Sequence, residues 1–203
     1  MENAYDNVFF KYLIRQCKNP TGMLGSMMTG IWNNTFRNMT HWGFQPIEFH
    51  STDNILDIGC GGGATINELA KLVTGNGKIY GIDISDTAVK NAKKINKNYI
   101  KQQKVKILQS SAEHIPFQNT TFDKVFAFQT HIYWNSIFQS LKEVYRILKP
   151  NATFYIICEK EKIYYHLHEY ASTANMIDLL RNTGFTNISF RENANWIEYM
   201  GDK

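Results

Sequence analysis

The chain has 203 residues, of which 43% are apolar, 20% charged and 14% aromatic, and its net charge is +4. This length and balance predict one globular domain with a substantial core. The mild charge, without a Lys/Arg run of five, argues against a nucleic-acid surface, and the lack of an apolar run of 18 argues against a membrane span.

Residues 1–50 hold Pro20, Gly22, Gly25, Gly30, Trp32 and Trp42, with little periodicity beyond a helix near 4–17. We read them as a helical lead-in that folds over the site, ahead of a main domain at 51–203. Residues 55–63, Ile-Leu-Asp-Ile-Gly-Cys-Gly-Gly-Gly, are the most informative run: a short apolar strand carrying an acid, then a turn almost devoid of side chains. Ile66, Leu69, Ala70 and Val73 have helical spacing, which predicts a helix over 64–74 ended by Gly75 and Gly77. A strand over 78–82 ends in Asp83, and Ser85 caps a helix over 86–100. Strands follow at 104–109 and 122–128, then a helix at 135–148 that Pro150 stops. A strand at 152–158, a helix at 172–182, Gly184 and two strands at 185–191 and 195–199 close the pattern.

Strands separated by helices imply right-handed crossovers and a parallel sheet covered on both faces. In such sheets a ligand sits beyond the carboxyl ends of the strands. Asp57, Asp83, Ser111 and Gln129 all fall at those ends. The glycine run itself allows two cofactors. Gly59, Gly61 and Ala64 fit the dinucleotide pattern G-x-G-x-x-G/A. Asp57, two residues before Gly59, favours a cation there instead, because a phosphate site would want the opposite sign. Asp83 suits the ribose hydroxyls of either cofactor.

The later segments discriminate. Leu-Asp-Ile-Gly-Cys-Gly-Gly-Gly resembles motif I of the class I S-adenosyl-L-methionine (SAM) dependent methyltransferases. Ser110-Ser111-Ala112-Glu113-His114-Ile115-Pro116-Phe117 resembles the family's G-D-A-x-x-L-P-F stretch, with Ser111 in place of the acid. Phe122-Asp123-Lys124-Val125 matches F-D-x-V. Leu141 to Ala152 resembles L-x-E-x-x-R-V-L-K-P-G-G, with Asn151 in place of the first glycine; asparagine tolerates the left-handed backbone that turn needs. Gly184-Phe185 and two strands resemble the closing hairpin. The resemblance, methyltransferase-domain-11-like, covers about 55–191. It implies a three-layer Rossmann-like α/β fold with a seven-stranded, mostly parallel sheet whose last strand is antiparallel. It also implies SAM as cofactor. Asp57, Gly59, Cys60 and Gly61 would hold the methionine end, and Asp83 the ribose. Ile84, Ser111, Ala112 and Glu113 would surround the adenine, with Gln129 beside them.

The family places acceptor-facing residues after the fourth strand, here Gln129-Thr130-His131-Ile132-Tyr133-Trp134. The proline motif of nucleic-acid and glutamine amino-methyltransferases is absent there, which points to a small-molecule acceptor. His131 is the candidate general base, or else a histidine that shapes the pocket. Tyr133 and Trp134 could stack on a planar acceptor, with Trp32, His41 and Trp42 closing from the lead-in. His166, His168 and Glu169 alternate like a ligand set, but no metal is expected. Cys17, Cys60 and Cys158 are odd in number and widely spaced, which supports neither disulfides nor zinc and suggests a reducing, cytoplasmic setting. The chain is read as a monomer or homodimer, similar to a branch of uncharacterised microbial methyltransferases. A methyltransferase acting on RNA or protein, and a SAM-binding sensor without catalysis, are the competing functions.

Overall fold

The computed structural model describes residues 21, 22, 25, 27 and 36–203. Trp32, Cys17 and the helix expected near 4–17 lie outside the described residues. In chain order the elements are α1 (Arg37–Phe44), β1 (Ile55–Ile58), α2 (Ala64–Leu72), β2 (Ile79–Asp83), α3 (Asp86–Ile95), α4 (Lys97–Lys101), β3 (Val105–Gln109) and β4 (Phe122–Phe128). After a 3-10 turn at His131–Tyr133 come α5 (Ile137–Ile147), β5 (Leu148–Glu159) and α6 (Lys160–His166). A second 3-10 turn at His168–Tyr170 precedes α7 (Thr173–Asn182), β6 (Thr186–Glu192) and β7 (Trp196–Asp202).

The seven strands form one sheet in the order β3-β2-β1-β4-β5-β7-β6. Pairs within β3-β2-β1-β4-β5 are parallel, and β7 runs antiparallel to both β5 and β6. Side chains alternate across the strands, so Ile55 and Leu56 enter different cores. One core joins Ile55, Ile79 and Phe126 to α1, α2 and α3. The other joins Leu56, Ile82 and Phe154 to α5, α6 and α7. This is the three-layer arrangement the alternating pattern predicts. The strand order reverses between β1 and β4, which opens a crevice above the carboxyl ends of those two strands.

Two boundaries differ from expectation. The helix expected over 86–100 breaks at Asn96, whose buried side chain donates to the carbonyls of Gly63 and Ala92 at 2.9 and 3.0 Å. The helix expected over 135–148 ends at Ile147, and Pro150 lies inside β5 instead of terminating the helix. The left-handed turn expected at Asn151 is present, with φ +62°. The helix α6 was not anticipated at all.

The lead-in also holds an unexpected helix, α1, which is part of the core. Met39 is buried, and Phe44 packs edge-on against Phe126 and Phe128 at 5.5 Å. Arg191 on β6 pins its carboxyl end. The guanidinium lies 3.9 Å over the Trp42 indole and donates to the carbonyls of Trp42 and Gly43 at 2.5 and 3.2 Å, while its Nε donates to Glu198. Glu198 is fully buried, and burial pushes its carboxyl up to about 7 against the pull of Arg191. Arg191→Ala therefore leaves a buried carboxylate without its cation. The expected loss is about 3 kcal/mol in urea unfolding at pH 8, shrinking toward pH 5 as the carboxyl takes up a proton.

Candidate active site

The glycine run leaves β1 and turns under the crevice. The Gly59 and Cys60 amides both donate to the Ile82 carbonyl, at 2.7 and 3.0 Å, which ties the turn to β2. Gly59 has φ +73°, and a Cβ there would lie 2.4 Å from Thr130 Cγ2. Thr130 is held in that place because its hydroxyl donates to the Ile58 carbonyl at 2.8 Å. Cys60 packs under Gly81, and burial pushes its thiol well up, so it is an inert small side chain.

Two acids face this turn. Asp83 accepts from the Gly61 amide through Oδ2 at 2.9 Å and from the Ser85 amide through Oδ1 at 2.8 Å. Each oxygen keeps a lone pair for a further donor. Asp57 differs. It is only 2% exposed, and its Oδ1 has no hydrogen-bond partner among the described residues. Burial, then the charge of Asp83, pushes its carboxyl well above the usual range. A buried carboxylate edge with nothing to meet it calls for a cationic donor.

The second wall is the Ser110–Glu113 loop after β3. Glu113 Oε1 accepts from the Asn135 and Ser136 amides at 2.7 and 3.3 Å, and Ser111 donates its hydroxyl to the same carboxylate. Burial works to raise the Glu113 carboxyl, but these bonds outweigh it and hold the group below its ordinary range. The Ser111 oxygen thus keeps its acceptor side free for an amino group. Behind this loop, Glu143 accepts from the Ile115 amide, and Arg146 donates to the carbonyls of Ile115 and Phe117. The acid and base of the α5 motif therefore brace the Ile115-Pro116-Phe117 turn.

The third wall follows β4. Gln129, at φ +57°, is clamped to Glu159, the last residue of β5: its Oε1 accepts from the Glu159 amide and its Nε2 donates to the Glu159 carboxylate. Tyr133 and Trp134 border the cavity. His131 does not. Its imidazole is fully buried, neither nitrogen has a partner among the described residues, and burial drives its pKa down to about 3.

These walls enclose a cavity of about 550 Å³. Every residue expected at the cofactor borders it: Asp57, Gly59, Cys60, Gly61, Asp83, Ile84, Ser111, Ala112, Glu113 and Gln129. Of the expected acceptor residues, Tyr133, Trp134 and His41 border it and Trp42 does not. His41 and Trp42 are consecutive on α1, so they point about 100° apart. The Trp42 ring is held between Arg191 and Trp196 on the far side. Phe36, Arg37, Thr40 and Lys162 line the cavity without having been anticipated. The spacing 37, 40, 41 marks one helical face and was the available signal. His166 meets the Tyr133 ring at 5.0 Å and His168 meets the Tyr164 ring at 5.1 Å, so the two histidines engage different tyrosines. No cluster able to hold a metal occurs among the described residues.

The sheet order, the crevice at the β1–β4 reversal and the glycine turn between two acids define a class I, Rossmann-like nucleoside-cofactor protein. Comparison narrows the class. The chain belongs to the methyltransferase domain family, whose model matches residues 56–156. YrhH of Bacillus subtilis, named as a methyltransferase, is 31% identical over 136 residues, 64% of this chain and 74% of YrhH. The 2-phytyl-1,4-naphtoquinone methyltransferase of Trichormus variabilis is 31% identical over 100 residues; this chain matches 49% of its own length and 44% of that enzyme. A SAM-dependent methyltransferase from Aquifex aeolicus superposes with a TM-score of 0.73 at 21% identity, covering 87% of this chain and 97% of that one. The cofactor is SAM, and the chain is a SAM-dependent methyltransferase. The site fits it on two independent counts: the orphaned Asp57 Oδ1 suits an ammonium, and a Cβ at Gly61 would meet no atom within 4 Å, so the turn is open toward the ligand.

Proposed function

We propose that the protein transfers a methyl group to a small-molecule acceptor held in the outer half of the cavity, between Tyr133, Trp134 and α1. One observation carries this reading. The cavity that receives the cofactor continues past Gln129 to an aromatic wall, and its volume of about 550 Å³ is of the size that small-molecule sites have. The Trichormus relative, named for a naphthoquinone acceptor, supports the same class.

Bound SAM supplies an electrophilic methyl on a sulfonium. The residues of the chain do the rest. Asp57 takes the ammonium. Asp83 takes the ribose hydroxyls while holding the Gly61 amide, so the same carboxylate shapes the turn and binds the ligand. Ser111, Ala112, Glu113 and Ile84 surround the adenine. Tyr133 and Trp134 orient the acceptor, and orientation alone is worth ~7–11 kcal/mol in favourable cases. Free thiols at Cys60 and Cys158, both buried, fit a reducing cytoplasmic setting, and we read the working form as a monomer or homodimer.

His131 takes a different role from the base expected of it. It sits behind the cavity wall, and a pKa of about 3 makes it a poor proton acceptor near neutral pH. We assign it to positioning Trp134, whose ring lies edge-on at 6.3 Å. Its unpartnered nitrogens cost stability. His131→Leu is expected to raise the unfolding free energy by about 1 kcal/mol and to leave the affinity for S-adenosylhomocysteine (SAH) within about twofold. A stability loss above that size would mean that the imidazole has a partner.

The function itself is tested by a labelled-methyl assay over small-molecule, RNA and protein fractions. Transfer into the small-molecule fraction is the expected result. Transfer confined to RNA or protein, or SAH binding without any transfer, would overturn it.

A further inference from the structure

Two cations that border the cavity have no carboxylate partner among the described residues. Arg37 opens α1 and Lys162 lies on α6; both border the cavity, and neither has an ion pair or hydrogen bond among the described residues. The carboxylates of the same walls are already engaged. Glu68 pairs with Lys71 at 2.8 Å, Glu113 takes the Asn135 and Ser136 amides, and Glu159 holds Gln129. Glu161 is adjacent to Lys162 on a helix, and adjacent residues do not face each other. Asp57 and Asp83 face the glycine turn. The charge of Lys162 is felt nearby: after burial, it is the second cause holding His166 below its ordinary range.

Arg37 and Lys162 are exposed cations on separate elements that border one cavity, and a bound cofactor adds its sulfonium there. A cationic acceptor would be repelled by all three charges, and a neutral one would leave Arg37 and Lys162 unused. We propose that the methyl acceptor is an organic anion, with a flat apolar body against Tyr133 and Trp134 and a carboxylate or phosphate engaged by Arg37 and Lys162. This rests on the acceptor reading of the cavity given above. The guanidinium offers a planar fork matched to either anion, the ammonium adds a point charge, and a cleft of one sign concentrates its counter-charged ligand.

The test uses the full chain saturated with SAH and four probes of one shape: benzoate, phenyl phosphate, benzyl alcohol and benzylamine, with binding read by ligand-observed NMR. At low salt the better of the two anions is expected to bind about tenfold more tightly than benzyl alcohol, with benzylamine weakest, and the gap should narrow as salt rises. Whichever of benzoate and phenyl phosphate binds better identifies the anion class. The double variant Arg37→Gln, Lys162→Gln should lose the preference while SAH affinity stays within about twofold. Equal binding of alcohol and anions, or a preference that survives in the double variant, overturns the proposal. So does a marked drop in SAH affinity in that variant, which would assign the cations to the carboxylate of the cofactor. Failure of the wild-type chain to bind SAH would remove the cofactor assignment first, and the proposal with it.

Discussion

Asp57→Asn is expected to weaken SAH binding by about a hundredfold and, in the same protein, to raise the melting temperature without ligand by about 3 °C. The two effects share one cause. Asp57 is 2% exposed, and its Oδ1 meets no donor among the described residues. Its charge is paid for only when an ammonium arrives, so removing the charge relieves the free protein and disables the complex. The pH dependence separates this from an ordinary core substitution. Burial and Asp83 push the Asp57 carboxyl upward, so the native state keeps a proton that the unfolded chain has released. The resulting penalty is absent below about pH 4, where both states are protonated, grows as pH rises, and is complete above the native pKa. The wild-type chain without ligand should therefore lose stability relative to Asp57→Asn as pH rises from 5 to 9, and saturating SAH should reverse the order. Thermal melts across that range and calorimetry with SAH check both halves. An Asn variant that binds SAH within a few-fold of wild type would show that Asp57 does not hold the ammonium.

The cofactor half of the cavity was legible from the chain because its residues are fixed by backbone position. Asp57, Asp83, Ser111 and Gln129 end strands or follow them directly, and strand ends are where a parallel sheet delivers ligands. The sheet order places them side by side as Ser111, Asp83, Asp57 and Gln129, on four neighbouring strands. The acceptor half was less legible, because it depends on which way a side chain turns on a short element. His131 and Tyr133 belong to one 3-10 turn, yet one ring enters the core and the other borders the cavity. His41 and Trp42 are consecutive, and the larger ring is drawn away by Arg191, a residue about 150 positions further on. Such a pull leaves no trace in local periodicity. The role of Glu113 was hidden for a similar reason: the resemblance implied an adenine contact, while the structure adds a carboxylate that ties the loop after β3 to the amides ahead of α5. Each strand and helix expected within 55–202 is present with its type, and α6 is the helix that the periodicity did not announce. The misplaced boundaries, at Asn96 and Pro150, fall where a buried amide or a left-handed turn overrides propensity.

The glycines of the 59–63 run look interchangeable in the sequence, and the structure makes them opposites. Gly61→Ala is expected to fold and lose the cofactor; Gly63→Ala is expected to lose the fold. Both residues have positive φ, +51° and +83°, so either alanine carries the left-handed penalty of about 1 kcal/mol. They part at the added Cβ. At Gly61 it meets nothing within 4 Å and projects into open cavity, where only a ligand would collide with it. At Gly63 it would lie 2.7 Å from Ala92 Cα, Ala92 Cβ and Asn96 Nδ2. A backbone carbon cannot step aside, so α3 must shift. Asn96 would also lose its bonds to the Gly63 and Ala92 carbonyls, in a site with no water access. Strain, overpacking and the broken bonds together should cost Gly63→Ala about 4 kcal/mol, a large fraction of the stability of an ordinary domain. Urea unfolding and SAH calorimetry on the two variants form a crossed pair. Gly61→Ala should lose only the backbone penalty of about 1 kcal/mol, with SAH affinity down about tenfold or more, since the turn approaches its ligand there without a side chain. Gly63→Ala should lose midpoint first. If both variants lost stability equally, the open space at Gly61 would have to be filled by protein, and the glycine turn would be a packing device before it is a cofactor site.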